Sequence, residues 1–250
     1  MADSKFIDAP QGRRIAYHKT EGAGPCVVFL GGLKSDMMGT KAVYLENWAR
    51  AEGRAFLRFD YSGHGESSGL FTDGCIGDWN EDTLAAVTAL TEGPLIVVGS
   101  SMGGWQALLL ARHLPERVAG LVGIAAAPDF TEDGYWAQFT EAQKQTLEEV
   151  GQVELPSDYM EPYIITRRMI VDGRNRLVLR DPLNLPFPVR LLQGTADTAV
   201  STATAVRLLE HAQSPDMQLT LVKDADHRFS DAGCLAMIVE AIKAVSGDAG

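Results

Sequence analysis

The chain has 250 residues, 46% of them hydrophobic, and its 22 basic and 33 acidic side chains leave a net charge of −11. That length supports one full-sized core, and the charge disfavours phosphate backbones and anionic membranes as partners, so no nucleic-acid partner is expected. Cys26, Cys75 and Cys234 are odd in number, widely spaced and without a C-x-x-C pair, which argues against a disulfide framework, a zinc site or a redox motif and suits a reducing compartment.

At the start, residues 1–14 mix Asp3, Lys5, Asp8, Arg13 and Arg14. They have neither the apolar core of a signal peptide nor the acid-poor character of a transit peptide, so a cytoplasmic location is expected. No run reaches the ~18 apolar residues of a membrane span. Residues 6–8 and 13–19 flank Ala9-Pro10-Gln11-Gly12, which predicts two antiparallel strands joined by a turn. From Cys26 onward, short apolar runs at 26–30, 55–59, 95–98, 118–124, 189–192 and 217–222 alternate with helical stretches. Several are apolar on consecutive residues, as strands covered on both faces should be, and the alternation predicts stacked βαβ units with a mostly parallel sheet. Helices are expected over 41–52, 78–91 and 103–114, the last nearly all apolar and stopped by Pro115.

Residues 129–188 break this rhythm. They contain a helix-like acidic segment at 141–150 and a basic segment with Arg167, Arg168, Arg174, Arg176 and Arg180, and show no clear strand. The expected organisation is a single domain over 1–250 with a cap inserted at about 129–188, lying over the carboxyl edge of the sheet, where open α/β folds bind ligands.

The pattern G-x-S-x-G occurs at Gly65-Glu66-Ser67-Ser68-Gly69 and again at Gly99-Ser100-Ser101-Met102-Gly103. A nucleophilic serine needs a strand that ends in a sharp turn into a helix. The second match alone has that setting, whereas Ser67 and Ser68 read as turn residues. A serine hydroxyl also needs a base and a group that orients the base. His227 follows the strand at 217–222 by a short loop and so falls at the same sheet edge as Ser101. His64, in the loop after an adjacent strand, is the alternative base. Asp197 follows the strand at 189–192 and completes the order Ser, Asp, His; Asp129 is the alternative acid. Oxyanion donors are expected from the Met102 N–H, at the start of the helix, and from the Leu33 N–H, after Gly31-Gly32. No H-E-x-x-H pair and no nucleotide-binding glycine loop is present, so neither metal nor cofactor is expected.

Together Gly39-Thr40-Lys41-Ala42, Arg58-Phe59-Asp60-Tyr61-Ser62-Gly63, Gly99-Ser100-Ser101-Met102-Gly103-Gly104-Trp105 and Asp226-His227-Arg228 resemble the serine hydrolases of the α/β-hydrolase superfamily. Within it, they resemble the mitochondrial acyl-protein thioesterase and acyl-glucuronide esterase group and its bacterial relatives. The resemblance implies an α/β-hydrolase fold and puts the catalytic roles on Ser101, Asp197 and His227. The expected reaction is hydrolysis of a small-molecule acyl ester or thioester. Alternatives are a carbon–carbon bond hydrolase or cofactor-free perhydrolase with the same site, and a non-catalytic ligand-binding module. An acyl pocket is expected from Met37 and Met38 of the oxyanion loop and from Trp136, Phe139 and Tyr163 of the insertion, where Tyr135, Tyr159, Met160 and Met169 are further soft or aromatic side chains. Lys34 and the arginines of the insertion could meet an anionic leaving group or pair with neighbouring acids.

Overall fold

The computed structural model describes residues 3–156 and 162–247. An eight-stranded sheet runs through it in the order β1-β2-β4-β3-β5-β6-β10-β12. These strands are β1 (Lys5–Asp8), β2 (Arg14–Thr20), β3 (Ala23–Leu30), β4 (Arg54–Phe59), β5 (Leu95–Ser100), β6 (Val118–Ile124), β10 (Val189–Gly194) and β12 (Met217–Val222). At one edge β1 pairs with β2, and β2 with β4, antiparallel, and the remaining pairings of this sheet are parallel. Every strand expected in this sheet is present.

Helices cover both faces. On one side lie α1 (Thr40–Ala51) and α7 (Ala232–Ser246), and on the other α2 (Ile76–Leu90) and α3 (Met102–His113). All six residues of β5 are buried, and they alternate between two cores. Leu95 and Val97 join Trp79 and Trp105 beneath α2 and α3, whereas Ile96 and Val98 join Phe29, Phe56 and Ile238 beneath α1 and α7. This double coverage is why the parallel strands read as continuous apolar runs. Cys75 is buried at the N-cap of α2.

Between β6 and β10 the chain forms a π-helix at Phe130–Trp136, then α4 (Glu141–Val150), β7 (Gln152–Leu155), β8 (Tyr163–Thr166), α5 (Arg167–Arg174) and the two-residue β9 (Leu183–Asn184). Helix α4 takes the expected span because Thr140 and Gln143 form a reciprocal capping box and Gly151 ends it in the left-handed region. The expectation of no strand here is corrected: β7 and β8 pair antiparallel from Gln152↔Thr166 to Leu155↔Tyr163. Farther on, α6 (Thr202–His211) leads into β11 (Ala212–Gln213), which pairs with β9. The arginines of the insertion are paired: Arg167 with Glu148, Arg168 with Asp78, Arg174 with Glu132, Arg176 with Asp172, and Arg180 with Asp129 and Asp133.

Candidate active site

Ser101 sits on the turn between β5 and α3 with φ 55° and ψ −119°, a left-handed conformation rare for a non-glycine residue. Its backbone is held on both sides: its N–H donates to the Ile124 carbonyl, and its own carbonyl accepts from Gly104 and Ala127. Glycines make room for the turn. A Cβ on Gly103 would lie 2.0 Å from the Leu30 carbonyl oxygen, and one on Gly99 would lie 2.2 Å from the Gly103 oxygen. The hydroxyl is thereby presented at the carboxyl edge of the sheet.

His227 lies on the loop after β12. Its Nε2 is 3.1 Å from Ser101 Oγ and its Nδ1 is 2.9 Å from Asp197 Oδ2. The Asp197 side chain is wholly buried, and each of its oxygens has two donors. Oδ1 accepts the N–H groups of Ala199 and Val200, and Oδ2 accepts Gln193 Nε2 as well as the histidine. Burial pushes this carboxyl up, but the His227 and Val200 hydrogen bonds, the His227 charge and the Gln193 amide outweigh it and hold the group below the usual aspartate value. The two loops are stitched together, since Ala196 N–H donates to the Ala225 carbonyl and Asp224 N–H to Thr195 Oγ1. From α1, Lys41 Nζ donates to the Arg228 carbonyl, next to His227. Burial brings this amine down to about 8.

The loop 31–39 leaves β3 and passes beside Ser101, so that a Cβ on Gly32 would lie 3.4 Å from the serine Cβ. Leu33 and Met102 both line the space next to Ser101. Met102 is the first residue of α3, so its N–H is among the helix donors without an intrahelical acceptor. The end of β4 and the segment after it grip this loop. Asp60 Oδ1 accepts the Met37 N–H at 2.6 Å, Arg58 Nη1 donates to the Met37 carbonyl at 2.5 Å, and His64 Nε2 accepts the Lys34 N–H at 3.1 Å. Arg58 is itself buried and paired with Glu46.

The alternatives are engaged elsewhere. His64 is buried and directed at Lys34 and Ser62, and burial holds its pKa below the usual histidine value. Asp129 is buried on the N–H groups of Val178 and Leu179 and on Arg180. The oxygens of Ser67 and Ser68 tie the loop after β4 to β2 by accepting from Ala16 and Arg14. Burial pushes the thiols of Cys26, Cys75 and Cys234 up to between about 11 and about 12, where they are inert.

A cleft of about 720 Å³ opens over Ser101 and His227. Of the residues expected to form its pocket, Tyr163 lines it. Met37 is instead turned inward, 2% exposed, and Met38 packs its sulfur on Arg58. Phe139 is buried and stacks on Tyr135, and Trp136 lies beneath Arg174 and Lys144. Tyr159 and Met160 fall outside the described residues, and Met169 is part of the core. Tyr135, among the further side chains offered for the pocket, does line it; Phe130 and Gly134 of the same π-helix, with Leu155 and Pro156 from the end of β7, supply the rest. Spacing gives no sign of a π-turn, although Pro128-Asp129 does mark a break after β6.

An alpha/beta hydrolase fold family model matches residues 27–159. The mitochondrial palmitoyl-protein thioesterase ABHD10 of Rattus norvegicus is 35% identical over 236 residues, 94% of this chain and 79% of that protein. Its Homo sapiens counterpart is 34% identical over 95% of this chain and 78% of its own length. Among solved structures, a protein from Agrobacterium vitis S4 superposes with a TM-score of 0.94 at 40% identity, covering 97% of this chain and 98% of that one. Alpha/beta hydrolase domain-containing protein 10 from mouse does so with a TM-score of 0.91 at 34% identity, covering 99% of each chain. No helix among the described residues is long and apolar enough to cross a membrane. In sequence and in fold, the chain belongs to the α/β hydrolase family.

Proposed function

We propose that the protein hydrolyses acyl esters or thioesters through an acyl-enzyme on Ser101. The observation that carries this is the continuous relay from Ser101 Oγ through both nitrogens of His227 to Asp197. His227 Nε2 takes the hydroxyl proton while the oxygen attacks the carbonyl, and the carbonyl π-electrons move to oxygen, where the Leu33 and Met102 N–H groups receive the charge. Collapse expels the alkoxide or thiolate, which takes the proton from His227. Water then repeats the sequence on the acyl-serine and releases the acid. Asp197 keeps the proton on Nδ1, leaving Nε2 free to accept.

The aromatic and aliphatic lining beside Ser101 suits an acyl chain. The name palmitoyl-protein thioesterase carried by relatives that this chain covers over most of their length supports a thioester substrate. Three free, buried cysteines support a reducing compartment, and the cytoplasm is the proposed location. An acyl-length series of p-nitrophenyl esters and matching acyl thioesters, run on wild type and Ser101→Ala, tests the proposal. Turnover abolished by the substitution is expected. Inert esters and thioesters beside cleavage of a vinylogous diketone or peracid formation would assign other chemistry to the same site, and silence on all of them would leave a binding module.

A further inference from the structure

The loop 31–39 must hold the Leu33 N–H in one direction if it is to receive an oxyanion, yet its conformation is not relaxed. Lys34 has φ 56°, a left-handed conformation that costs a side-chain-bearing residue on the order of 1 kcal/mol. Its N–H is accepted by His64 Nε2 at 3.1 Å, and the other ring nitrogen, Nδ1, lies 3.1 Å from the Ser62 carbonyl. A carbonyl can only accept, so Nδ1 carries the proton and Nε2 presents its lone pair. The ring cannot swing away. It is 4% exposed and meets Tyr61, Phe71 and Trp79 edge-on, with centroids 5.6, 5.4 and 5.2 Å away.

Resting on the acyl-transfer mechanism above, we propose that His64 is a positioning residue of the oxyanion loop: its single neutral tautomer anchors the Lys34 peptide and thereby aims the Leu33 N–H at the reacting carbonyl. Within the loop, the Ser35 hydroxyl and N–H donate to the Gly32 carbonyl; the grips from outside it act at Met37, or at the Gly31 carbonyl, which Tyr61 reaches at 3.3 Å. His64 is the side chain bonded to the peptide that directly follows Leu33.

His64→Phe keeps the ring packing and removes the acceptor. Losing an oxyanion donor costs roughly 10²–10³ in kcat, and a misaimed donor should cost part of that. The expected result is a kcat for p-nitrophenyl butyrate lowered roughly tenfold to a hundredfold, with KM within about threefold of wild type. The inhibition constant of an alkyl trifluoromethyl ketone, which forms an oxyanion on the serine, should rise by the same factor. The near-isosteric pair His64→Gln and His64→Met repeats the comparison should the phenylalanine variant not fold. Gln, with an acceptor oxygen, should recover activity that Met does not. Turnover and ketone inhibition unchanged in His64→Phe, or equal losses in Gln and Met that track their melting temperatures, would overturn the proposal. Wild-type turnover and its loss in Ser101→Ala test the underlying mechanism separately. An inert wild type would overturn both, whereas an active wild type with an indifferent His64 would overturn this one alone.

Discussion

Replacing Asp197 with asparagine tests the relay where the structure makes its outcome most predictable. The carboxylate is wholly buried and accepts four hydrogen bonds, two on each oxygen. Asparagine keeps one of those oxygens and puts an NH₂ in place of the other. If the NH₂ takes the Oδ1 position it faces the Ala199 and Val200 N–H groups, which are fixed in the backbone. If it takes the Oδ2 position it faces the Gln193 amide, which can turn. The Gln193 Oε1 is buried without a partner, so a flip lets it accept from the new NH₂, at the expense of the bonds Nε2 makes to the Gly194 and Val200 carbonyls. The second arrangement therefore wins, and it presents a donor to His227 Nδ1. The imidazole must respond by moving its proton to Nε2, the nitrogen that has to accept from Ser101. An enforced wrong tautomer costs about 10⁴ in kcat, about 5 kcal/mol of barrier, and the lost bonds cost on the order of 1–3 kcal/mol of stability. Steady-state turnover of a p-nitrophenyl ester with a parallel thermal melt reads both. A folded variant whose kcat stays within tenfold of wild type would refute the reasoning.

Other substitutions read different parts of the account. Gly103→Ala sets a Cβ 2.0 Å from the Leu30 carbonyl and 2.6 Å from that of Gly31, contacts no rotamer can relieve. A stability loss of about 3 kcal/mol and little activity are expected, and a wild-type melt with full turnover would contradict this. Burial pushes the Asp60 carboxyl up to about 6 despite the N–H donors Glu66 and Met37, whereas an unfolded aspartate titrates near about 4. The folded chain therefore holds the proton more tightly, and its stability should fall by on the order of 2–3 kcal/mol as pH rises from 4 through 6. Urea unfolding at several pH values should show that slope reduced in Asp60→Asn, and parallel curves would count against it. Lys41→Met removes the donor to the Arg228 carbonyl. It should loosen the His227 loop and lower kcat roughly tenfold with little change in KM; an unchanged kcat would exclude that role.

Much of the fold and of the candidate site was legible because the candidate residues sit at strand ends. Ser101, Asp197 and His227 each follow an apolar run that had to be a strand, and parallel strands deliver their following loops to one edge. The elbow was readable from Gly99, Gly103 and Gly104, each of which lacks room for a Cβ. What lay hidden was set by tertiary packing. Four-residue strands such as Gln152–Leu155 and Tyr163–Thr166 are too short for a period of two to stand out. The residue class at Met37 and Trp136 suggested a pocket, but side-chain direction depends on partners far along the chain: Asp60 draws Met37 inward and Arg174 covers Trp136. Arg58 and Asp60 were a missed signal. Charges closing an otherwise apolar strand demand buried partners, and those partners, Glu46 and the Met37 peptide, are what shape the loop over Ser101.

Intact-mass and peptide mapping after treatment with a fluorophosphonate most directly tests the claim that Ser101 is the nucleophile. One adduct per chain, located on Ser101, lost in Ser101→Ala and slowed at least a thousandfold in His227→Ala, is the predicted result. Labelling that persists at the same rate in Ser101→Ala, or that maps to Ser67 or Ser68, would contradict it.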